Sequence, residues 1–169
     1  IRLKNQLRDL INGTDNDDFV DTLRLADDTT IDLVNNLTLT GTSSGETIYG
    51  LDDNNILIGR EGNDSLNGYD GNDQYIWNIG DGNDTITEQS GVDELVLGDG
   101  ITLNDIRFMR YSTDELEIFV GTEKIRLKNQ LRDLINGTDN DDFVDTLRLA
   151  DDTTIDLVND LTFKGTASG

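Results

Sequence analysis

Acidic and amide side chains recur at a fixed interval in the middle of this sequence. Glu46, Asn55, Asp64 and Asp73 lie nine residues apart, and Asp84 follows after eleven. Carboxylate and amide oxygens in such a series indicate a hard cation, because Ca²⁺ takes about six to eight oxygen ligands in flexible geometry. Zinc is not expected, because the sequence has neither His nor Cys to supply nitrogen or sulfur.

A nine-residue repeat accounts for this spacing. Each unit opens with a glycine and has a large apolar residue seven positions later. Such a unit divides into a turn of six residues, where glycine allows positive φ angles, and a strand of three. A fifth unit, 80–86, follows after a two-residue slip. The opening glycines are Gly41, Gly50, Gly59 and Gly68, and the apolar residues are Ile48, Leu57, Leu66, Tyr75 and, in the fifth unit, Ile86.

The short strands must stack to bury anything. In a three-residue strand the middle side chain points to the opposite face from its two neighbours, so the apolar residue of each unit faces inward. We therefore predict an all-β solenoid with two nonapeptides per coil and a thin apolar core. Turns one, three and five lie along one edge, and turns two and four lie along the other.

This stacking brings the oxygen-bearing side chains together. Asp64 lies beside Asp84, and Asp73 lies beside Asn55. Carboxylates at strand spacing, about 4.8 Å, repel each other, and a cation between them removes the repulsion while turn carbonyls complete its shell. Turns three and five are predicted to form the strongest site, and Glu46, being longer than Asp, fits a turn-sized cage less well.

The candidate calcium ligands are the third, fifth and sixth residues of the five turns, with turn five counted from residue 79, just before its first glycine. Mg²⁺ is less suited, because it demands near-ideal octahedral geometry. The third residues are Ser43, Asp52, Glu61, Asp70 and Asp81; the fifth are Gly45, Asn54, Asn63, Asn72 and Asn83; the sixth are Glu46, Asn55, Asp64, Asp73 and Asp84.

Composition narrows the function classes. The 169-residue chain has a formal net charge of −22 and only 34% hydrophobic residues, which resembles disordered chains. We therefore expect the metal-free chain to be mostly unfolded. The charge argues against nucleic acid as a partner, because nucleic-acid binding needs a basic face. No apolar run approaches the length of a membrane span, and without His the commonest general base is missing, so we expect no enzyme activity.

A second, longer repeat frames the first. Residues 1–45 recur as residues 125–169 with four differences: Asn36/Asp160, Leu39/Phe163, Thr40/Lys164 and Ser43/Ala167. We expect the parent protein to contain a tandem array of 124-residue units. The predicted segments are a capping segment at 1–40, the repeats at 41–88, a strand extension at 89–124, a second capping segment at 125–164, and the start of another roll at 165–169.

The segments on either side of the nonapeptides show weaker sequence patterns than the repeats do. Strands are predicted at 20–25, 30–33, 93–97, 106–110 and 116–120, and short helical turns at 5–11. The acidic stretch 139–142 and its copy at 15–18 are interpreted as polar turns. Tyr75 and Trp77 are interpreted as core residues rather than a sugar-stacking platform. Arg126, Lys128 and Arg132 are interpreted as local compensation for acidic neighbours.

Residues 41–88 resemble the calcium-binding repeats of the RTX, or haemolysin-type, proteins, on the strength of the nonapeptides and their Gly-Asn-Asp tripeptides. The resemblance implies a right-handed parallel β-roll that folds on Ca²⁺ after type I secretion, outside the cell or at its surface. It implies a structural repeat of a secreted toxin or adhesin, whose partners are calcium ions and neighbouring repeat units. The alternative is an accessory module of a secreted carbohydrate-active or other hydrolytic enzyme. The target-cell or surface ligand stays open.

Overall fold

The computed structural model describes residues 22–24, 30–32, 37–132 and 142–161. Apart from one short 3-10 turn, Leu103–Asp105, the named elements in these ranges are β-strands. The prediction of an all-β chain is therefore confirmed. No helix among the described residues is long and apolar enough to cross a membrane.

The nonapeptides form two parallel sheets that face each other through the core. One sheet contains β4 (Thr47–Tyr49), β6 (Ser65–Asn67) and β8 (Asn83–Thr87), which come from turns one, three and five. The other contains β3 (Leu37–Thr40), β5 (Asn55–Ile58), β7 (Gln74–Trp77) and β9 (Glu94–Leu97). Consecutive strands thus alternate between sheets, which confirms the prediction of two nonapeptides per coil.

The strand register aligns the apolar residues in two columns. Leu66 pairs with Ile48 on one side and Ile86 on the other, and Tyr75 pairs with Leu57 and Leu95. All of these are buried except Ile48, which is half-buried at the N-terminal end of its column. The predicted core residues therefore face inward. Trp77 is also buried, which confirms its interpretation as a core residue.

A three-stranded antiparallel meander extends the first sheet beyond the repeats. It consists of β10 (Ile106–Arg110), β11 (Leu116–Val120) and β12 (Glu123–Leu127). β12 returns to the roll and pairs with β8 in parallel, which places Ile125 beside Asp84. The strands predicted at 93–97, 106–110 and 116–120 coincide with β9, β10 and β11.

The second copy of the long repeat lies against the C-terminal end of this roll. β13 (Thr146–Arg148) pairs with β9 in parallel and with β14 (Thr154–Asp156) in antiparallel fashion. Its buried residues, including Leu147 and Leu157, join the same core cluster as the repeats. The described strands of this copy therefore cover the last coil of the roll.

The first copy forms the same hairpin where it is described. β1 (Thr22–Arg24) and β2 (Thr30–Asp32) pair with the register that β13 and β14 show 124 residues later. They lie within the strands predicted at 20–25 and 30–33. The helical turns predicted at 5–11, the polar turn at 15–18 and the final segment 165–169 lie outside the described residues, and the segment boundaries stay predictions.

The basic residues near the second copy pair with local acids. Arg126 and Lys124 both bind the buried Glu117, at 2.8 and 2.6 Å, and Arg132 binds Asp142. The interpretation of Arg126 and Arg132 as local compensation is confirmed, whereas Lys128 is exposed. Of the polar turn predicted at 139–142, only Asp142 lies among the described residues.

Candidate metal centre

Turns three, four and five stack closely because glycine occupies their fourth position. Gly62 and Gly82 have φ angles of 136° and 99° and form a parallel bridge with each other. A Cβ on Gly82 would lie 1.8 Å from the main-chain oxygen of Gly62, which no side chain can satisfy. Gly91 has the same relation to Gly71, at 1.6 Å. These glycines therefore bring successive turns into direct main-chain contact.

The sixth residues of the turns form a ladder along each edge. The Asp64 amide donates to Asp84 Oδ1 at 2.8 Å, and the Glu46 amide donates to Asp64 Oδ1 at 2.7 Å. On the other edge the Asn55 amide donates to Asp73 Oδ1 at 2.7 Å. The structure thus brings together the predicted pairs Asp64–Asp84 and Asp73–Asn55.

Two of these carboxylates, those of Asp64 and Asp73, have a second oxygen without a hydrogen-bond partner. Asp64 Oδ2 and Asp73 Oδ2 are buried and make no hydrogen bond. A buried acceptor without a donor is costly, more so when it carries charge. Calcium prefers carboxylate oxygens, so the unpartnered oxygens on both edges of the roll fit this ion.

Burial perturbs the ionisation of the same carboxylates. It raises the pKa of Asp73 to about 6 and the pKa of Asp84 to about 7, and the charges of Asp64 and Asp81 add to the effect at Asp84. The pKa of Asp64 is also raised by burial. A bound cation would supply the positive charge that these desolvated carboxylates lack.

The sixth residues of turns one and two are satisfied within their own turns. The Glu46 carboxylate accepts hydrogen bonds from the amide and the hydroxyl of Thr42, which lower its pKa. Asn55 Oδ1 accepts from the Leu51 amide at 2.5 Å, and Asn55 Nδ2 donates to the Asp53 carbonyl at 2.7 Å. Neither side chain therefore has a buried oxygen without a hydrogen-bond partner, as Asp64 has.

The asparagines at the fifth position use their side chains to join the coils. Asn54 Oδ1 accepts from the Asn72 amide at 2.7 Å, and Asn63 Oδ1 accepts from the Asn83 amide at 2.9 Å. Asn72 continues the series by accepting from the Val92 amide at 2.9 Å. These side-chain oxygens therefore hold the turns together, and the carbonyls of the same residues are what they could offer an ion. Gly45, the fifth residue of turn one, has no side chain.

The third residues lie mostly on the surface. Ser43, Asp52, Glu61 and Asp70 are exposed, and Asp70 Oδ1 accepts a hydrogen bond from the Ser90 hydroxyl at 2.7 Å. Only Asp81 is buried, and its Oδ2 accepts from the Asn78 amide at 2.7 Å. The third position therefore contributes surface charge more than oxygens directed into the turns.

Sequence reasoning missed two members of the ladder. The Asp73 amide donates to Asp93 Oδ1, and the Asp93 amide donates to Asp145 Oδ2, both at 2.7 Å. Asp93 is the sixth residue of a further turn, 88–93, whose signal is Gly91 at the fourth position and Leu95 two residues after the aspartate. Asp145 likewise precedes the buried Leu147 by two residues, so the same spacing could have found it.

Comparison with known proteins supports this geometry. Residues 40–75 match the family model of the RTX calcium-binding nonapeptide repeat, which represents four copies. The roll continues beyond the match through β8 and β9. A comparison with curated proteins finds no match to the chain.

Proposed function

We propose, starting from the RTX calcium-binding repeats at residues 40–75, that this chain is a structural module that folds when it binds calcium. The observation that carries the proposal is the pair of buried, unpartnered oxygens, Asp64 Oδ2 and Asp73 Oδ2. They lie on opposite edges of the solenoid. Both belong to turns within the matched repeats.

Charge explains why calcium would control folding. Residues 41–88 contain ten acidic residues against the single Arg60. Stacking the turns concentrates this charge and desolvates Asp64, Asp73 and Asp84. Calcium, when bound, supplies positive charge between the turns. The chain's own contribution is to orient the carboxylates, because the amide of one coil holds Oδ1 and leaves Oδ2 directed away from that bond.

Several weak sites are enough for such a switch. Extracellular calcium modules bind with Kd on the order of 10⁻⁴–10⁻³ M. At ten times Kd, one site stabilises the folded state by roughly 1.4 kcal/mol. A few sites along the two edges would together supply a large share of the marginal stability of a domain, about 5–15 kcal/mol.

Circular dichroism with and without calcium tests the proposal. We expect a largely disordered spectrum in EDTA and a β-rich spectrum at millimolar CaCl₂, with MgCl₂ much less effective. Asp64→Asn with Asp73→Asn should raise the calcium midpoint. Glu115→Gln, which removes one charge from the β10–β11 turn, should leave the midpoint almost unchanged. A β-rich spectrum that EDTA leaves intact would disprove calcium-dependent folding.

The biological setting is proposed from the same repeats. We place the module in a secreted RTX protein, a toxin or an adhesin, that leaves the cell by type I secretion and folds in calcium-rich surroundings. The near-identity of residues 1–45 and 125–169 favours a structural array, since an enzyme seldom needs identical copies. The flanking gene sequence tests this: further 124-residue units support the array, and a neighbouring catalytic domain supports the accessory-module alternative.

We also propose that the module has no catalytic role. Paired carboxylates can cleave glycosides, but the aligned aspartates of this roll are assigned to metal. Incubation of the calcium-loaded module with a panel of polysaccharides should release no reducing sugar.

A further inference from the structure

The sixth turn of the roll, 88–93, begins with a glutamate where four of the other turns begin with glycine. The Glu88 side chain is only 2% exposed. It lies where turn six adjoins turn four: the Gly68 amide donates to the carbonyl of Thr87, the residue just before Glu88, at 3.3 Å. A buried carboxylate group therefore occupies the position at which turns one to four have glycine, which has no side chain.

Three carboxylates converge at this point. Asp73, Glu88 and Asp93 are all buried, and each offers an oxygen that lies within 4.8 Å of the other two. Asp73 Oδ2, one of these buried oxygens, makes no hydrogen bond. No ion pair among the described residues includes Asp73 or Glu88. No described Lys or Arg therefore forms an ion pair with Asp73 or Glu88.

Glycine at position 68 leaves open the space that the oxygens face. A Cβ added to Gly68 would lie 2.1 Å from Asp73 Oδ2, 2.4 Å from the Tyr75 hydroxyl and 2.5 Å from Glu88 Oε1. At Gly59, by contrast, the nearest atoms to an added Cβ all belong to Asp64. The oxygens of three different side chains meet at Gly68.

Tyr75 fixes the position of the additional carboxylate. Its ring fills the core column of the second sheet, and its hydroxyl donates to Glu88 Oε1. Glu88 Oε2 accepts a longer bond from the Gln89 amide, 3.3 Å. The glutamate is thus held by a rigid core residue rather than by a mobile surface group.

We propose that Asp73, Asp93 and Glu88 form a three-carboxylate cation site inside the roll, with Tyr75 orienting Glu88, and that it is the tightest calcium site of the module. This inference rests on the proposed calcium-binding function and adds a residue that the nonapeptide pattern does not supply. Affinity for calcium rises with the charge of the ligand set and the rigidity of the site. The site between turns three and five has two aligned aspartates, Asp64 and Asp84, and among the described residues no third carboxylate forms a cluster of this size with them.

The competing explanation is that Glu88 takes the place of an ion. Burial and the charges of Asp93 and Asp73 raise the pKa of Glu88 to about 9, so a protonated glutamic acid bound to Tyr75 could fill the space as a neutral group. The two explanations make opposite predictions for Glu88→Gln. An amide reproduces a neutral acid well, but it removes the charge that a cation site needs.

Calorimetric titration of the whole chain with CaCl₂ tests the proposal, with Glu115→Gln as the matched charge control. We expect Glu88→Gln to weaken the tightest site at least tenfold while weaker sites still produce a β-rich spectrum at saturating calcium. Tb³⁺ emission sensitised through Tyr75 and Trp77 should fall at the first equivalent of Tb³⁺ in Glu88→Gln and persist in Glu115→Gln. Unchanged or tighter binding by Glu88→Gln would overturn the proposal.

A second variant covers the case in which Glu88→Gln does not fold. Tyr75→Phe keeps the ring in the core and removes only the hydroxyl, so we expect the tightest site to weaken several-fold with the other sites unaffected. Wild-type affinity in Tyr75→Phe would then count against the orienting contact and the site built on it. Failure of the wild-type chain to respond to calcium at all would instead disprove the proposed function, so the two failures are distinguishable.

Discussion

Acid should promote folding of the calcium-free chain. Without metal, burial raises the pKa of Asp84 to about 7 and that of Glu88 to about 9, from ordinary values of 3.8 and 4.5. Between about pH 5 and pH 6.5 both groups are protonated in the folded state and ionised in the unfolded chain. Their contribution is therefore fully present below about pH 4 and is lost as the pH rises through about 7 and about 9.

The size of the effect follows from the number of protons. Each proton that the folded state binds in excess changes stability by about 1.4 kcal/mol per pH unit. With two such protons, from Asp84 and Glu88, stability should rise by about 3 kcal/mol between pH 6.5 and pH 5.5. This corresponds to about a hundredfold change in the folding constant. Asp73, with a pKa near 6, adds to the effect at the acidic end of this interval.

Circular dichroism in EDTA across this interval measures the prediction. The double variant Asp84→Asn with Glu88→Gln cannot take up these protons and should show a much flatter pH dependence. With saturating calcium the trend should reverse, because binding requires ionised carboxylates and weakens as they are protonated. Equal slopes for the wild-type chain and the double variant in EDTA would refute the assignment of the buried acids.

Two further predictions concern the turns and the C-terminal end. Gly82→Ala should prevent turn five from stacking on turn three and raise the calcium midpoint of folding strongly, since its Cβ would lie 1.8 Å from a main-chain oxygen. The control is Gly100→Ala, which is also at positive φ but in open space. It should lower the free energy of unfolding by only about 1–2 kcal/mol. Gln130→Met should cost about 2–4 kcal/mol in urea unfolding, because it leaves the Val144 amide and carbonyl, both bonded to Gln130, without partners.

The sequence was enough to predict the coil but not where it ends. The pairs Leu57–Tyr75 and Leu66–Ile86 follow from alternation alone, since the large apolar residue at the middle of each three-residue strand points inward. The sixth turn is harder to recognise, because Glu88 replaces its opening glycine and only Gly91, Asp93 and Leu95 keep the pattern. The pairing of β12 with β8 has no repeat signature, because it joins segments about 40 residues apart through main-chain bonds.

Ligand roles were harder to predict than ligand positions. An asparagine oxygen suits both a cation and a backbone amide, and the sequence alone does not distinguish the two; in the structure Asn54 and Asn63 bind amides. The predicted order of the sites, with turns three and five strongest, considered only turns one to five. The structure adds Asp93 and Glu88 around Asp73. We therefore expect Asp73→Ala to raise the calcium midpoint of folding more than Asp64→Ala does.

The aspartate ladder has a direction, and this makes the two ends of the roll unequal. Along both edges, amides at the sixth position donate to a side chain of the coil that follows: Glu46 to Asp64, Asp64 to Asp84, and Asp73 to Asp93. Loss of the first coil removes a donor and leaves a carboxylate that water can solvate. Loss of the last coil removes acceptors and strands amide groups in the interior. The folded solenoid therefore depends more on its C-terminal end than on its N-terminal end. At the C-terminal end, Asp145 of the second copy accepts a hydrogen bond from the Asp93 amide.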